Sequence, residues 1–403
     1  MLSTPSQASS PALPGTVLLR MGLLASGYAL MLLVSVGLMP SIPAMGEHFG
    51  SVALAQVILI GPAFLKIVGG PAAAWLMRRY GRRKPLLVNL ALIAVCAALS
   101  IVFDSFAAQL VLRLLMGFGA AAVATISTTL VGDYFEGATR DRALSWTGIA
   151  PMLGSVFGLF VGGLIAQQWG WQWTNAMLLL AVPLWLGALL YLPEPELPVQ
   201  LNDGKAVDAS LPAGFRYFLG IAALTTVISV VGGYQLPLLM AANGIDSASF
   251  SGGVLAMSSI LAAVAAALYP RLRRRAGPTG VFVWIMAGNG IVYALLSLGG
   301  DKLWFGGIAP LAGLAGGLLY PFCTGWAIER SSAEARPRAV GLVMSAIFIG
   351  SILCPFLGEI IRTAYGAHAT FATAAAVALS AGIAAALFRS QTLSPVPPRP
   401  LQS

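Results

Sequence analysis

The chain alternates between long apolar runs and short polar breaks. A helix that crosses a bilayer needs about 20 predominantly apolar residues. Twelve runs come close to or exceed that length. The first six cover 17–40, 52–77, 86–103, 107–131, 143–166 and 174–192. The second six cover 215–240, 250–269, 279–298, 303–326, 338–361 and 367–388. A transmembrane barrel would show short segments of alternating hydrophobicity instead. The pattern therefore predicts an all-α membrane protein of twelve transmembrane helices in two six-helix bundles, 17–192 and 215–388. Between them, residues 193–214 form a polar linker, rich in proline and acid at Leu192-Pro193-Glu194-Pro195-Glu196. The first run is longer than the 7–15-residue core of a signal peptide and is read as a membrane helix. Residues 1–16 and 389–403 are polar tails, and an even number of crossings puts both on one side.

The breaks carry the charge. After the second run comes Arg78-Arg79-Tyr80-Gly81-Arg82-Arg83-Lys84-Pro85. A lone Arg or Lys at the bilayer centre costs roughly 2.5–3.5 kcal/mol on insertion scales, so this cluster marks a loop at a membrane surface. Basic loops stay in the cytoplasm. With the loop placed there, 19 of the 23 Lys and Arg residues fall on its face, two (Lys302 and Arg362) on the other, and two within the membrane. The expected topology is a multi-pass protein of the cytoplasmic (inner) membrane with both termini cytoplasmic. After the eighth run, Arg271-Leu272-Arg273-Arg274-Arg275-Ala276-Gly277-Pro278 mirrors the first basic loop. Repetition between halves is expected of a transporter built from two related bundles.

Composition narrows the classes. The chain is 58% hydrophobic and 9% charged, with a mean hydropathy of +0.85; soluble proteins carry about 25% charged residues. The net charge of +9 sits in loops between apolar runs, which points away from a nucleic-acid partner. Cys96, Cys323 and Cys354 lie inside apolar runs without metal-like spacing, and read as small buried hydrophobes. The two histidines, His48 and His368, stand near helix ends. No catalytic group, metal site or cofactor is expected, which disfavours a membrane enzyme. A sensor would call for a soluble domain that the linker is too short to hold. The lipid bilayer and a small-molecule substrate are the expected partners.

Two cations remain inside the membrane. Lys66 lies midway along the second run, at ~1.5 Å per residue too far from either end to snorkel; Arg113 lies inside the fourth. Such charges face a cavity or a partner. No acid stands in the central part of any run, and Glu359 is the deepest. An anionic substrate (carboxylate, phosphate or sulfonate) would supply the missing charge. Tyr28, Tyr234, Gln235 and Tyr320 are candidate cavity walls, with packing as the competing reading for each. Gln235 precedes Leu236-Pro237, a candidate helix break. Gly154, Gly158 and Gly162 recur every four residues on one helix face, with Gly163 beside them. Small residues let membrane helices approach closely, so these are either packing positions or a hinge between the halves. Asp133, Arg140 and Arg142 are candidates for a gate at the inner face.

The basic loop also carries a resemblance. Ala74-Trp75-Leu76-Met77-Arg78-Arg79-Tyr80-Gly81-Arg82-Arg83-Lys84 resembles the Gly-x-x-x-Asp-Arg-x-Gly-Arg-x-x signature of the major facilitator superfamily. It matches at Arg79, Gly81, Arg82 and the following basic pair. It departs at Ala74, where the family has Gly, and at Arg78, where the family has an Asp that helps lock the halves. Arg113-Leu114-Leu115-Met116-Gly117 resembles the family's Arg-x-x-x-Gly stretch, which is linked to proton coupling. Gly154-Ser155-Val156-Phe157-Gly158-Leu159-Phe160-Val161-Gly162-Gly163 is similar to the antiporter signature ending Gly-Pro-x-x-Gly-Gly, with Leu159 in place of the Pro. The resemblance implies a monomeric secondary transporter of the drug:proton antiporter group. Efflux of a small organic molecule by alternating access follows from it, with an organic-anion carrier as the alternative, and protons as a coupling partner.

Overall fold

A computed structural model describes residues 14–195, 214–332 and 335–388. The crossings are helical because a chain in hydrocarbon must satisfy every backbone N–H and C=O within the segment. Helix α1 spans Pro14–Val36; a 3-10 turn, Met39–Ser41, and a short helix, Ile42–His48, follow it. Then come α2 (Val52–Tyr80), α3 (Arg83–Val102), α4 (Phe106–Tyr134) and α5 (Gly137–Trp169). Helix α6 spans Trp171–Tyr191, wound as 3-10 over Trp171–Leu180, and α7 spans Phe215–Ala242. One long stretch, Ala248–Ser297, breaks at Gly277 into two crossings, α8 (248–276) and α9 (278–297). Helix α10 spans Lys302–Arg330 in short pieces, followed by α11 (Arg336–Tyr365) and α12 (Ala367–Phe388). Among the described residues, 11 stretches are long and apolar enough to cross a membrane, and the break at Gly277 makes twelve crossings of them. Lys205, Arg389, Arg399, residues 1–13, most of 193–214 and all of 389–403 lie outside the described residues. The first helix already begins at Pro14, within the segment read as a tail.

The two halves repeat each other in detail. Both basic turns hinge on a glycine with nearly the same backbone: Gly81 at φ 79°, ψ −170° and Gly277 at φ 68°, ψ −178°. Only glycine adopts this conformation without strain. In the first half, α2 and α4 cross at Gly69 and Gly117, where any Cβ would strike the backbone of Phe118 and Pro62 respectively. In the second half, α8 and α10 cross at Gly313 and Gly317, against the backbone of Ser258 and Ala262. Close backbone approach at small residues is how membrane helices gain packing without a hydrophobic driving force.

Two apolar cores result. One is drawn from the first half alone, including Leu24, Val34, Ile93, Met116, Ile126 and Ala181. The other belongs to the second half, where Trp326 stacks on Phe218 with ring centres 3.7 Å apart. This second core also takes in Leu38, Ile42, Met45, Ile58 and Leu159 from the first half. All five lie toward the end opposite the Arg78–Lys84 loop, so the halves are joined there. The seam is tightest where α5 crosses α8. Gly163 meets the backbone of Ala248 and Gly252, Gly252 meets the carbonyl of Leu159, and Ser155 Oγ lies 3.1 Å from Ser259 Oγ.

Candidate functional site

Lys66 and Arg113 both reach toward α1. Lys66 Nζ donates to Ser35 Oγ and, at 3.5 Å, to the Met31 carbonyl. Ser35 Oγ in turn donates to that same carbonyl at 2.8 Å. One guanidinium nitrogen of Arg113 donates to the Val34 carbonyl at 2.7 Å, while its Nε is buried without a partner among the described residues. Arg113 is 1% exposed; Lys66 is partly accessible. The two are near enough to interact electrostatically, yet no described carboxylate pairs with either. Glu359, the deepest acid, is held by Arg362 at 2.6 and 3.0 Å. Among the described residues, the two cations are solvated by neutral oxygens alone, which leaves their charge uncompensated there.

The other wall candidates divide between the halves. Tyr28, on α1 nearer the basic end, shares a hydrogen bond with Thr128 of α4, which is exposed. Thr125 and Thr129 flank Thr128 on α4, their hydroxyls turned back on α4's own carbonyls. Tyr234 and Gln235 sit on α7, buried at 8% and 1% exposure. The Gln235 amide lies against Gly358 of α11, and neither its oxygen nor its nitrogen has a hydrogen-bond partner among the described residues. The expected break at Pro237 does not occur: α7 runs helical through it. Tyr320, on α10, is 53% exposed. The structure thus brings Lys66 and Arg113 together and places Tyr28 in the same half, on α1 nearer the basic end. It keeps Tyr234, Gln235 and Tyr320 in the other half.

The glycines of α5 have two separate jobs. Gly154, Gly158 and Gly162 pack on α1, against Ala29, Leu33 and Gly37, within their own bundle. Gly163 alone of the four meets the second half. Spacing identifies a shared face but not the neighbour that face meets.

At the basic end, Arg82 forms an ion pair with Asp133 at the foot of α4. Arg273 and Glu329 form the corresponding pair between the α8–α9 turn and the foot of α10. Glu194, just past α6, accepts hydrogen bonds from the backbone N–H groups of Arg82 and Arg83, where α3 begins. A carboxylate at a helix N-terminus satisfies orphan donors and opposes the helix dipole favourably. Arg78, Arg79, Lys84, Arg140 and Arg142 are exposed, and none pairs with Asp133. Ser35, Thr128, Glu194 and Glu329 are partners that spacing did not single out. Glu194 alone had a signal, as an acid in a proline-rich stretch beside a membrane helix. The three cysteines are free and buried. Trp171, one of three tryptophans near 170, is 4% exposed and packs on His48 and Phe49, both at 5.4 Å.

Comparison with known proteins follows the same lines. The Major Facilitator Superfamily profile matches residues 24–309 and 217–403. The multidrug resistance protein MdtG of Serratia proteamaculans (strain 568) is 27% identical over 296 residues, 69% of this chain and 69% of that protein. MdtG of Rahnella sp. (strain Y9602) is 25% identical over 365 residues, covering 85% and 86%. Among solved structures, the nucleoside transporter NupG superposes with a TM-score of 0.75 at 12% identity, covering 93% of this chain and 100% of that one.

Proposed function

The chain belongs to the major facilitator superfamily and is a secondary transporter, and from that premise we propose that it exports small amphipathic organic molecules by alternating access. Relatives named as multidrug resistance proteins support the breadth of substrate, and a relative named as a probable efflux pump supports the direction. The moving units are the bundles 17–192 and 215–388, linked by 193–214. Gly154, Gly158 and Gly162 keep α5 on α1 so that they move as one body, and Gly163 rides on α8. Arg82 and Asp133 tie the foot of the first bundle, flanked by Arg140 and Arg142. The distribution of Lys and Arg supports an inner-membrane protein with both termini in the cytoplasm. On that orientation the joined end faces outward. The transporter works as a monomer, and protons moving inward drive export.

One observation carries the substrate assignment. Among the described residues, Lys66 and Arg113 are partnered only by neutral oxygens. A carboxylate, phosphate or sulfonate on a passing molecule is a stronger partner for Lys66 than the Ser35 hydroxyl. Tyr28 and Thr128 offer further hydrogen bonds on the same bundle, and Tyr234, Gln235 and Tyr320 contribute the facing side. The same observation favours a second reading, an organic-anion carrier.

The test is a panel of anionic, neutral and cationic organic molecules, scored by thermal stabilisation of the purified protein and of its Lys66→Met variant. Anionic and acceptor-rich members should stabilise the wild type most. A charge-assisted hydrogen bond contributes about 1.5–3 kcal/mol, so Lys66→Met should weaken them by about 10- to 150-fold. A preference for cations, or affinities unchanged in Lys66→Met, would contradict the assignment.

A further inference from the structure

The basic end has a cleft of its own, away from Lys66 and Arg113. A cleft of about 320 Å³ lies between the start of α1, the end of α6 and the turn into α3. Thr16, Arg20 and Arg83 line it together with Leu189, Leu190 and Tyr191. Both guanidiniums are fixed in place. Arg20 Nε donates to the Tyr191 carbonyl at 2.9 Å, and one terminal nitrogen of Arg83 donates to the Leu189 carbonyl. Each anchor uses a single donor of the five that a guanidinium carries. Arg83 Nε is buried with no partner among the described residues.

Among the described residues, the nearby acids take none of the side-chain donors of this pair. Glu194 is held by the backbone amides of Arg82 and Arg83, and Asp133 by the Arg82 side chain. Two positioned forks with donors to spare suit a phosphate, which accepts such bonds in pairs. The apolar lining indicates what the phosphate is attached to. Leu190 is 71% exposed, and Leu18 on the adjoining α1 is 45% exposed. At the end of a membrane helix, such side chains face acyl chains. An inorganic phosphate would leave this wall unused; a phospholipid would lay its chains along it.

We propose that the cleft between α1, α6 and the α2–α3 turn binds the headgroup phosphate of an anionic phospholipid, clasped by Arg20 and Arg83. Basic pockets between membrane helices near the surface are a general mode of acidic headgroup recognition. The bound lipid would staple α1, α6 and the basic turn of the first bundle together. The proposal does not depend on the substrate assigned above.

The full chain is purified from mixed vesicles of phosphatidylglycerol and phosphatidylcholine, and retained lipid is counted by native mass spectrometry. The wild type should retain phosphatidylglycerol preferentially. Each of Arg20→Gln and Arg83→Gln should weaken retention about fivefold. Arg83→Lys, which keeps the charge without the fork, should fall between Arg83→Gln and the wild type. Arg271→Gln/Arg274→Gln, which removes two charges from the other basic turn, should retain the lipid as the wild type does. Equal retention of both lipids by the wild type would overturn the proposal, as would undiminished retention in both glutamine variants. So would an equal loss in the Arg271→Gln/Arg274→Gln control. Displacement of the lipid by inorganic phosphate as effectively as by a short-chain phosphatidylglycerol would reassign the cleft to a free anion.

Discussion

Gly252 offers the sharpest perturbation of the seam between the bundles. A Cβ at this position would fall inside the contact shell of the Leu159 carbonyl oxygen and 3.0 Å from Gly163 Cα. Carbon atoms pack at ~3.5–4.0 Å, so α5 and α8 would have to part by roughly 0.5–1 Å. Both obstacles are backbone, which cannot rotate aside as a side chain would. Overpacking of this kind costs about 1–3 kcal/mol. The cost applies only while the bundles are joined at this end, because the proposed alternating access separates α5 from α8 there. Gly252→Ala should therefore shift the balance away from the joined state by about 5- to 150-fold. The neighbouring Gly253 has nothing within 4 Å of an added Cβ, so Gly253→Ala is the matched control. Ser155→Cys and Ser259→Cys, whose native hydroxyls lie 3.1 Å apart, report the joined state through their cross-linking rate. The native cysteines are buried and give little background. Cross-linking should fall with Gly252→Ala and hold with Gly253→Ala. Equal rates in the two backgrounds would refute the seam as the point where the halves part.

Other consequences follow from the same geometry. Gln235→Leu removes two buried amide atoms that have no partners among the described residues; relief of about 1–3 kcal/mol should raise the unfolding temperature, and a lowered one would show that the amide is satisfied. Arg82→Gln and Asp133→Asn should each destabilise the protein, and the double variant should recover part of the loss. A double-mutant cycle on thermal unfolding should return a coupling of about 0.5–3 kcal/mol, with zero coupling contradicting the ion pair. Glu194→Gln leaves two amide donors without a charged acceptor. It should loosen the foot of α3, visible as faster hydrogen exchange at Arg82 and Arg83; unchanged exchange would remove Glu194 from the cap.

The architecture was legible because the bilayer imposes it. Apolar runs have to be about one membrane thick, and charges have to lie between them, so the twelve crossings and both basic turns could be read directly. The ends were less legible. Helix α2 runs to Tyr80 and α5 starts at Gly137, several residues beyond the apolar runs, since hydropathy marks hydrocarbon and helices continue into the interface. The break between α8 and α9 was visible in Arg271–Pro278, yet the backbone stays helical up to a single glycine. Lys66 and Arg113 stood out because charge is costly in lipid, but their neutral partners on α1 did not, as a serine or a carbonyl carries no distinctive pattern. The α5 glycines show the limit most clearly. A four-residue repeat says that a helix face is smooth; only the packing shows that three of the four glycines meet α1 and the fourth meets α8. Asp133 and Arg82 were each conspicuous, but 51 positions separate them, and only the fold pairs them.

The most direct test of the central claim is flux in reconstituted vesicles, with and without an imposed pH gradient, for the wild type and Lys66→Met. In the wild type, a proton gradient should drive anionic or acceptor-rich substrates in the direction opposite to proton flow. This flux should be lost in Lys66→Met while the variant remains folded. Flux that ignores the gradient, or an undiminished rate in Lys66→Met, would contradict the claim.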